Sequence, residues 1–120
     1  SYTTFTYSEV TASAETMTAE KPLTLSVTVE NTGDFDGEEA VQLYIRDETA
    51  YRMSRPVREL KDFRRIALKK GEKKTVTFTV SEEMLRFYNY DGKFESEAGK
   101  FTAFIGGDSA TLNKVGFILE

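Results

Sequence analysis

Three separate stretches of the chain alternate apolar and polar residues with a period of two, and only an extended strand puts alternate side chains on opposite faces. Leu23, Leu25, Val27 and Val29 alternate with Thr24, Ser26 and Thr28. Val41, Leu43 and Ile45 do so against Gln42, Tyr44 and Arg46, and Val76, Phe78 and Val80 against Thr75, Thr77 and Thr79. Each stretch therefore reads as a strand with one buried and one solvated face. Phe101, Ala103 and Ile105 form a fourth run and Val115, Phe117 and Leu119 a fifth, with Gly106 Gly107 Asp108 Ser109 between them as the turn of a hairpin. The opening segment alternates through Phe5 and Tyr7 and then changes phase to Val10 and Ala12, as expected of an edge strand that carries a bulge or switches sheets. A seventh, weaker strand includes Ile66 and Leu68, following the less regular Val57, Leu60 and Phe63.

Turn-forming residues fall between these runs, at Asn31 Thr32 Gly33 Asp34, Asp36 Gly37, Arg55 Pro56, Lys70 Gly71 and Asp91 Gly92. Ser81 followed by Glu82 and Glu83 has the form of a helix start, because a serine caps the first turn and acidic groups suit its positive end. A single turn through Arg86, crossing from one sheet to the other, is expected there. The 120 residues suit one domain with one hydrophobic core, spanning 1–120, and seven short strands with this punctuation predict an all-β sandwich.

Composition removes most chemistry. The chain has no His, Cys or Trp, so it holds no Ser-His-Asp or Cys-His system, no imidazole or thiolate metal site and no disulfide. Its formal charge of -4 is the wrong sign for a general nucleic-acid binder, and Lys69 Lys70 Gly71 Glu72 Lys73 Lys74 reads as a solvated hairpin turn. No apolar run approaches the roughly 18 residues that span a bilayer as a helix. The first residues, Ser1 Tyr2 Thr3 Thr4 Phe5, have neither the basic nor the apolar region of a signal peptide.

What remains for catalysis is carboxylates. Glu38 and Glu39, or Glu82 and Glu83, are adjacent, so in a strand they point to opposite faces and do not cooperate. Asp34 and Asp36 flank Phe35 in a turn that lacks the further oxygen ligands of a calcium loop, and are read as a plain turn. Phe87, Tyr88, Tyr90 and Phe94 cluster around Asn89, Asp91 and Gly92. Their ordinary reading is a plug at the end of the sandwich core or an intramolecular dock, and stacking on a ligand is the alternative. The segment Glu48 to Pro56 reads as a surface loop with Tyr51, Met53, Arg52 and Arg55, residue types favoured at protein interfaces.

Several blocks are more specific than their periodicity. Val29 Glu30 Asn31 Thr32 Gly33, Val41 Gln42 Leu43 Tyr44 Ile45 Arg46 Asp47, and above all Arg55 Pro56 Val57 Arg58 Glu59 Leu60 Lys61 Asp62 Phe63 resemble, in order, the C-terminal fibronectin type III-like domain of family 3 glycoside hydrolases. In that family the last block reads Arg-Pro-Val-Lys-Glu-Leu-Lys-Gly-Phe. The blocks Gly71 to Phe78, Phe87 Tyr88, Asp91 Gly92 Lys93 and Gly99 through Gly107 continue the likeness. Two residues depart from it, Asp62 for Gly and Lys70 for Pro. Aspartate tolerates left-handed backbone better than most residues, so Asp62 is expected to keep the bend.

The resemblance implies an immunoglobulin/fibronectin type III-like sandwich of about seven antiparallel strands with one short crossover helix. It also implies a longer polypeptide, because the likeness to the family begins in mid-segment at Ser1, and the chain reads as the excised C-terminal part of a retaining β-glucosidase or β-xylosidase. The Asp nucleophile and Glu acid/base of that family lie in upstream domains and have no counterpart here. Expected is therefore a non-catalytic module packed against the catalytic domains of the same polypeptide, with no cofactor, metal, nucleic acid or membrane partner, in a secreted or periplasmic enzyme. Tyr51, Arg52 and Arg55, in the loop that approaches the active-site rim, and then Tyr88 and Tyr90, are the expected docking residues. A carbohydrate-binding module, disfavoured by the lack of Trp, and a cell-surface adhesion domain are the alternatives.

Overall fold

The computed structural model describes residues 3–48, 58–88 and 91–120. The strands are β1 (Phe5–Tyr7), β2 (Thr11–Ala12), β3 (Thr16–Met17), β4 (Leu23–Asn31), β5 (Gly37–Asp47), β6 (Glu59–Leu68), β7 (Lys73–Val80), β8 (Phe87–Tyr88), β9 (Phe94–Glu95), β10 (Gly99–Gly106) and β11 (Lys114–Leu119). A 3₁₀ turn, Glu82–Leu85, follows β7 on the path from one sheet to the other.

Two sheets form the sandwich. In the first, β4 is central, with β7 along one edge and β1 and β2 sharing the other. The second runs β3-β11-β10-β5-β6, and β8 with β9 makes a separate small hairpin. The alternating residues meet between the sheets: Leu25, Val27 and Val29 with Val76, Phe78 and Val80 from one side, Val41, Leu43, Ile45, Phe101, Ala103 and Ile105 from the other. Phe101 and Phe117 stack within this core, their ring centroids 5.6 Å apart. Removal of this apolar surface from water is the main stabilising term of such a fold.

The phase change in the opening segment has a simple cause. Tyr7 pairs with Val29 and Thr11 with Ser26, so one extra residue lies between them, and the insertion carries Val10 and Ala12 back to the buried face. The chain then switches sheets, and β3 pairs with β11. Both devices expected of this segment occur, one after the other. The β3–β11 ladder is parallel, the one departure among the described ladders from an antiparallel sandwich.

The basic turn differs from its expectation as well. β6 and β7 belong to different sheets, so Lys69–Glu72 is an arch between layers and not a hairpin. Gly71 takes a positive φ of 80°, a conformation that side chains with a Cβ disfavour. The Lys69 N–H donates to Glu72 Oε1 at 2.8 Å and the Lys70 N–H to Asp36 Oδ1 at 2.8 Å, so the Asp36 carboxylate pins this arch to the β4–β5 turn.

Asp62 keeps its bend in another way than expected. Among the described residues no non-glycine has a positive φ. Instead the β5–β6 register shifts between Leu43 and Tyr44, which pair with Asp62 and Leu60 and leave Lys61 as an extra residue in β6. Asp62 Oδ1 accepts from the Phe63 N–H at 2.7 Å and from Arg64 Nη1 at 2.8 Å. That bond aims the Arg64 guanidinium over the Phe78 ring, 5.0 Å from its centroid, at the open side of the core.

Candidate docking surfaces

The 3₁₀ turn leads into the hairpin that carries the first candidate surface. Arg86 donates from Nη2 to Glu82 Oε1 at 2.7 Å and from Nε to Oε2 at 3.0 Å, and Ser96 Oγ donates to Glu82 Oε2 at 2.6 Å. Glu82 thus ties the turn to the segment after β9. Its carboxyl is held down at about 2, against an ordinary 4.5, by the bonds from Arg86 first and from Ser96 second. A folded-state pKa below the unfolded one means that the unfolded chain takes up the proton first as the pH falls. The stability from Glu82 is therefore whole above 4.5 and disappears as the pH falls toward about 2. In Glu82→Gln, stability should fall less steeply over that interval, as read from urea midpoints at a series of pH values. Equal acid slopes in the two proteins would contradict the assignment.

On this hairpin Tyr88 and Phe94 lie ring to ring, 5.0 Å apart and tilted by 46°. Tyr88 is 73% exposed and Phe94 54%. Of the cluster read as a core plug or an intramolecular dock, Tyr88 and Phe94 are thus not core, because they stand on a two-stranded hairpin that belongs to neither sheet, whereas Phe87 is half-buried beside Ile45, Leu85 and Phe101. Of the expected docking residues, Tyr88 is thus on the surface. Tyr51, Arg52, Arg55 and Tyr90 lie outside the described residues.

A second surface, which the sequence reading missed, lies on the outer face of the five-stranded sheet. Tyr44 and Phe104 project there, away from the core between the sheets, yet Phe104 is only 1% exposed. The Arg58 guanidinium lies 3.7 Å from the centre of its ring and also donates to the carbonyl oxygens of Ser109 and Thr111, at 3.1 and 2.7 Å. The Tyr44 hydroxyl donates to Gln42 Oε1, and Gln42 Nε2 to the Gly107 carbonyl at 3.0 Å. Beside this group, on the edge strand β6, stand Leu60 and Phe63, 52% and 54% exposed. Their spacing of three was the available signal, since in an unbroken strand it would place them on opposite faces. A broad depression of about 420 Å³ lies farther along the same sheet, over Gly116, lined by Glu15, Glu48, Lys100, Thr102 and Ile118. Glu48 is engaged there by Arg46 and Thr102, at 2.8 and 2.5 Å.

A two-layer, mainly antiparallel sandwich of this kind has the architecture of the immunoglobulin/fibronectin class. The model of the fibronectin type III-like domain matches residues 39–109. The chain belongs to that family, in the form carried by family 3 glycoside hydrolases. It is 50% identical over 119 residues to the periplasmic β-glucosidase of Salmonella typhimurium, covering 99% of this chain and 15% of that one. With β-glucosidase BoGH3A of Bacteroides ovatus it shares 44% over 113 residues, covering 93% of this chain and 15% of the relative. Among solved structures, a β-glucosidase from Erythrobacter marinus superposes with a TM-score of 0.89 at 35% identity, over 99% of this chain and 16% of that one. The chain thus spans about a sixth of the length of these relatives, as an accessory domain within them.

Proposed function

We propose that this domain is the non-catalytic stabilising module of a retaining β-glycoside hydrolase and packs against the catalytic domains of the same polypeptide. The observation that carries this reading is the alignment of nearly the whole chain with one sixth of a β-glucosidase, at 50% identity in one case and 35% in a solved structure. A location outside the cytoplasm follows by analogy with the periplasmic relative. Sugar binding by stacking is the weaker reading, because Tyr88 and Phe94 are tilted against each other and offer no flat platform.

The test compares the longer polypeptide with and without these 120 residues. Deletion should lower both its thermal midpoint and its hydrolysis of an aryl β-glucoside, while the isolated domain neither cleaves that substrate nor is retained on a polysaccharide column. An unaffected truncated enzyme together with a retained domain would instead establish a carbohydrate-binding module.

A further inference from the structure

We infer that the outer face of β6, centred on Leu60 and Phe63, is the surface by which this domain docks onto the remainder of its polypeptide, against an apolar patch bordered by carboxylates. The inference rests on the module reading above and specifies which face is used. Its first support is the bulge. Because Lys61 is an extra residue against β5, Leu60 and Phe63 emerge on the same side of the sheet as Tyr44 and Phe104. The irregularity thereby gathers two large apolar side chains onto a face that regular pairing would have split between solvent and core.

The other long edge supplies the contrast. On β7 the outward residues are Thr75, Thr77 and Thr79, following Lys73 and Lys74, the polar and basic surface that keeps a free edge from pairing with other chains. β3, at the far edge of the sheet that holds β6, is two residues long. β6 runs for ten residues with Leu60 and Phe63 more than half exposed, the kind of edge that soluble proteins cover. Phe35 and Leu112 are also exposed, but they stand singly in separate connections.

Charge and length select the occupant. Beside Leu60 and Phe63 the outer face carries two cations, Arg58 and Arg65, against one carboxylate, Glu38 of β5, in a molecule of net charge -4; Glu59, Asp62 and Arg64 pair with the core-facing Ile45, Leu43 and Val41 and so lie on the other face. Arg64 is paired with Asp62 and Lys61 with Glu59, whereas Arg65 has no ion pair among the described residues. A second copy would bring this cationic excess against itself, which disfavours self-association. The relatives carry this domain as about a sixth of one chain, so an acidic-rimmed surface has the other five sixths from which to come.

Hydroxyl-radical footprinting read by mass spectrometry tests this on the 120-residue chain alone and on the longer polypeptide. Labelling of Leu60 and Phe63 should fall several-fold in the longer polypeptide, while Phe35 stays labelled in both. Phe63→Asp should lower the thermal midpoint of the longer polypeptide by more than that of the isolated chain. Protection that appears at Tyr88 and Phe94 instead would overturn this face and keep the module reading. Equal labelling of every surface aromatic in both proteins would overturn both. Protection of Phe63 in the isolated chain that grows with its concentration would identify a second copy as the occupant and overturn the inference.

Discussion

Asn31→Ala should destabilise the domain by about 3–5 kcal/mol, a large part of the stability of an ordinary domain, and lower its thermal midpoint by about 15 °C. Asn31 is fully buried, and every polar atom of its side chain is used. Oδ1 accepts from Thr3 Oγ1 at 2.7 Å and from the Gly33 N–H at 3.0 Å, while Nδ2 donates to the carbonyls of Phe35 at 2.8 Å and Leu68 at 3.0 Å. Its backbone bonds the arch, through the Glu72 carbonyl and the Gly71 N–H, both at 3.0 Å. One residue thus joins the start of the chain, the β4–β5 turn, the end of β6 and the arch to β7. Truncation strands the buried Leu68 carbonyl, at a cost of about 1–3 kcal/mol, and removes a partner of the part-buried Phe35 carbonyl, Gly33 N–H and Thr3 hydroxyl, each bond contributing about 1 kcal/mol. Asn31→Asp separates this account from simple packing. It keeps the acceptor toward Thr3 and Gly33 but turns an oxygen toward the two carbonyls. It should therefore be no more stable than the alanine variant at neutral pH, and should regain part of the loss in acid, where the protonated carboxyl can donate. A loss below about 1 kcal/mol for Asn31→Ala in urea denaturation would show that water replaces these bonds readily.

The second large effect is expected outside the sandwich core. Phe104→Ala should cost about 3–5 kcal/mol, as much as a core phenylalanine, although the residue lies on the outer face of its sheet. The physical reason is its cover: at 1% exposure and with a guanidinium 3.7 Å above the ring, truncation leaves a cavity and removes the cation–π contact. Arg58→Ala should cost less, about 1–2 kcal/mol, through loss of that contact and of the bonds to Ser109 and Thr111. Phe63→Ala, on the same face but half exposed, should cost under about 1 kcal/mol in the isolated domain. Chemical denaturation of the three variants side by side checks the order. If Phe104→Ala is as mild as Phe63→Ala, Phe104 has no tight cover and the outer face is softer than described.

Much of the sandwich was legible because each strand carries its own alternation. Leu23 to Val29, Val41 to Ile45 and Val76 to Val80 are strands with the expected faces buried, and the turn after Ser81 is in place. The surfaces were read less well. The run from Phe87 to Phe94 reads as a core plug or an intramolecular dock; Phe87 is half-buried, but the short hairpin belongs to neither sheet and leaves Tyr88 and Phe94 in solvent. Leu60 and Phe63 looked merely irregular, since a bulge is visible only against a partner strand. The role of Asn31 was hidden for a similar reason, because its partners at Thr3, Phe35 and Leu68 are brought to it by the turns and the packing of the sheets.

What the sequence by itself determined is local: the period of two, the turn residues and the lack of His and Cys are properties of neighbouring positions and composition, and they set the all-β class and remove most catalytic chemistry. Tertiary structure decided what depends on distant partners. It set which strands became edges, made Lys69–Glu72 an arch between sheets, and used one extra residue at Lys61 to carry Leu60 to the outer face. Strand pairing fixes those outcomes, because a shift of one residue exchanges the two faces of a strand while leaving its own sequence unchanged.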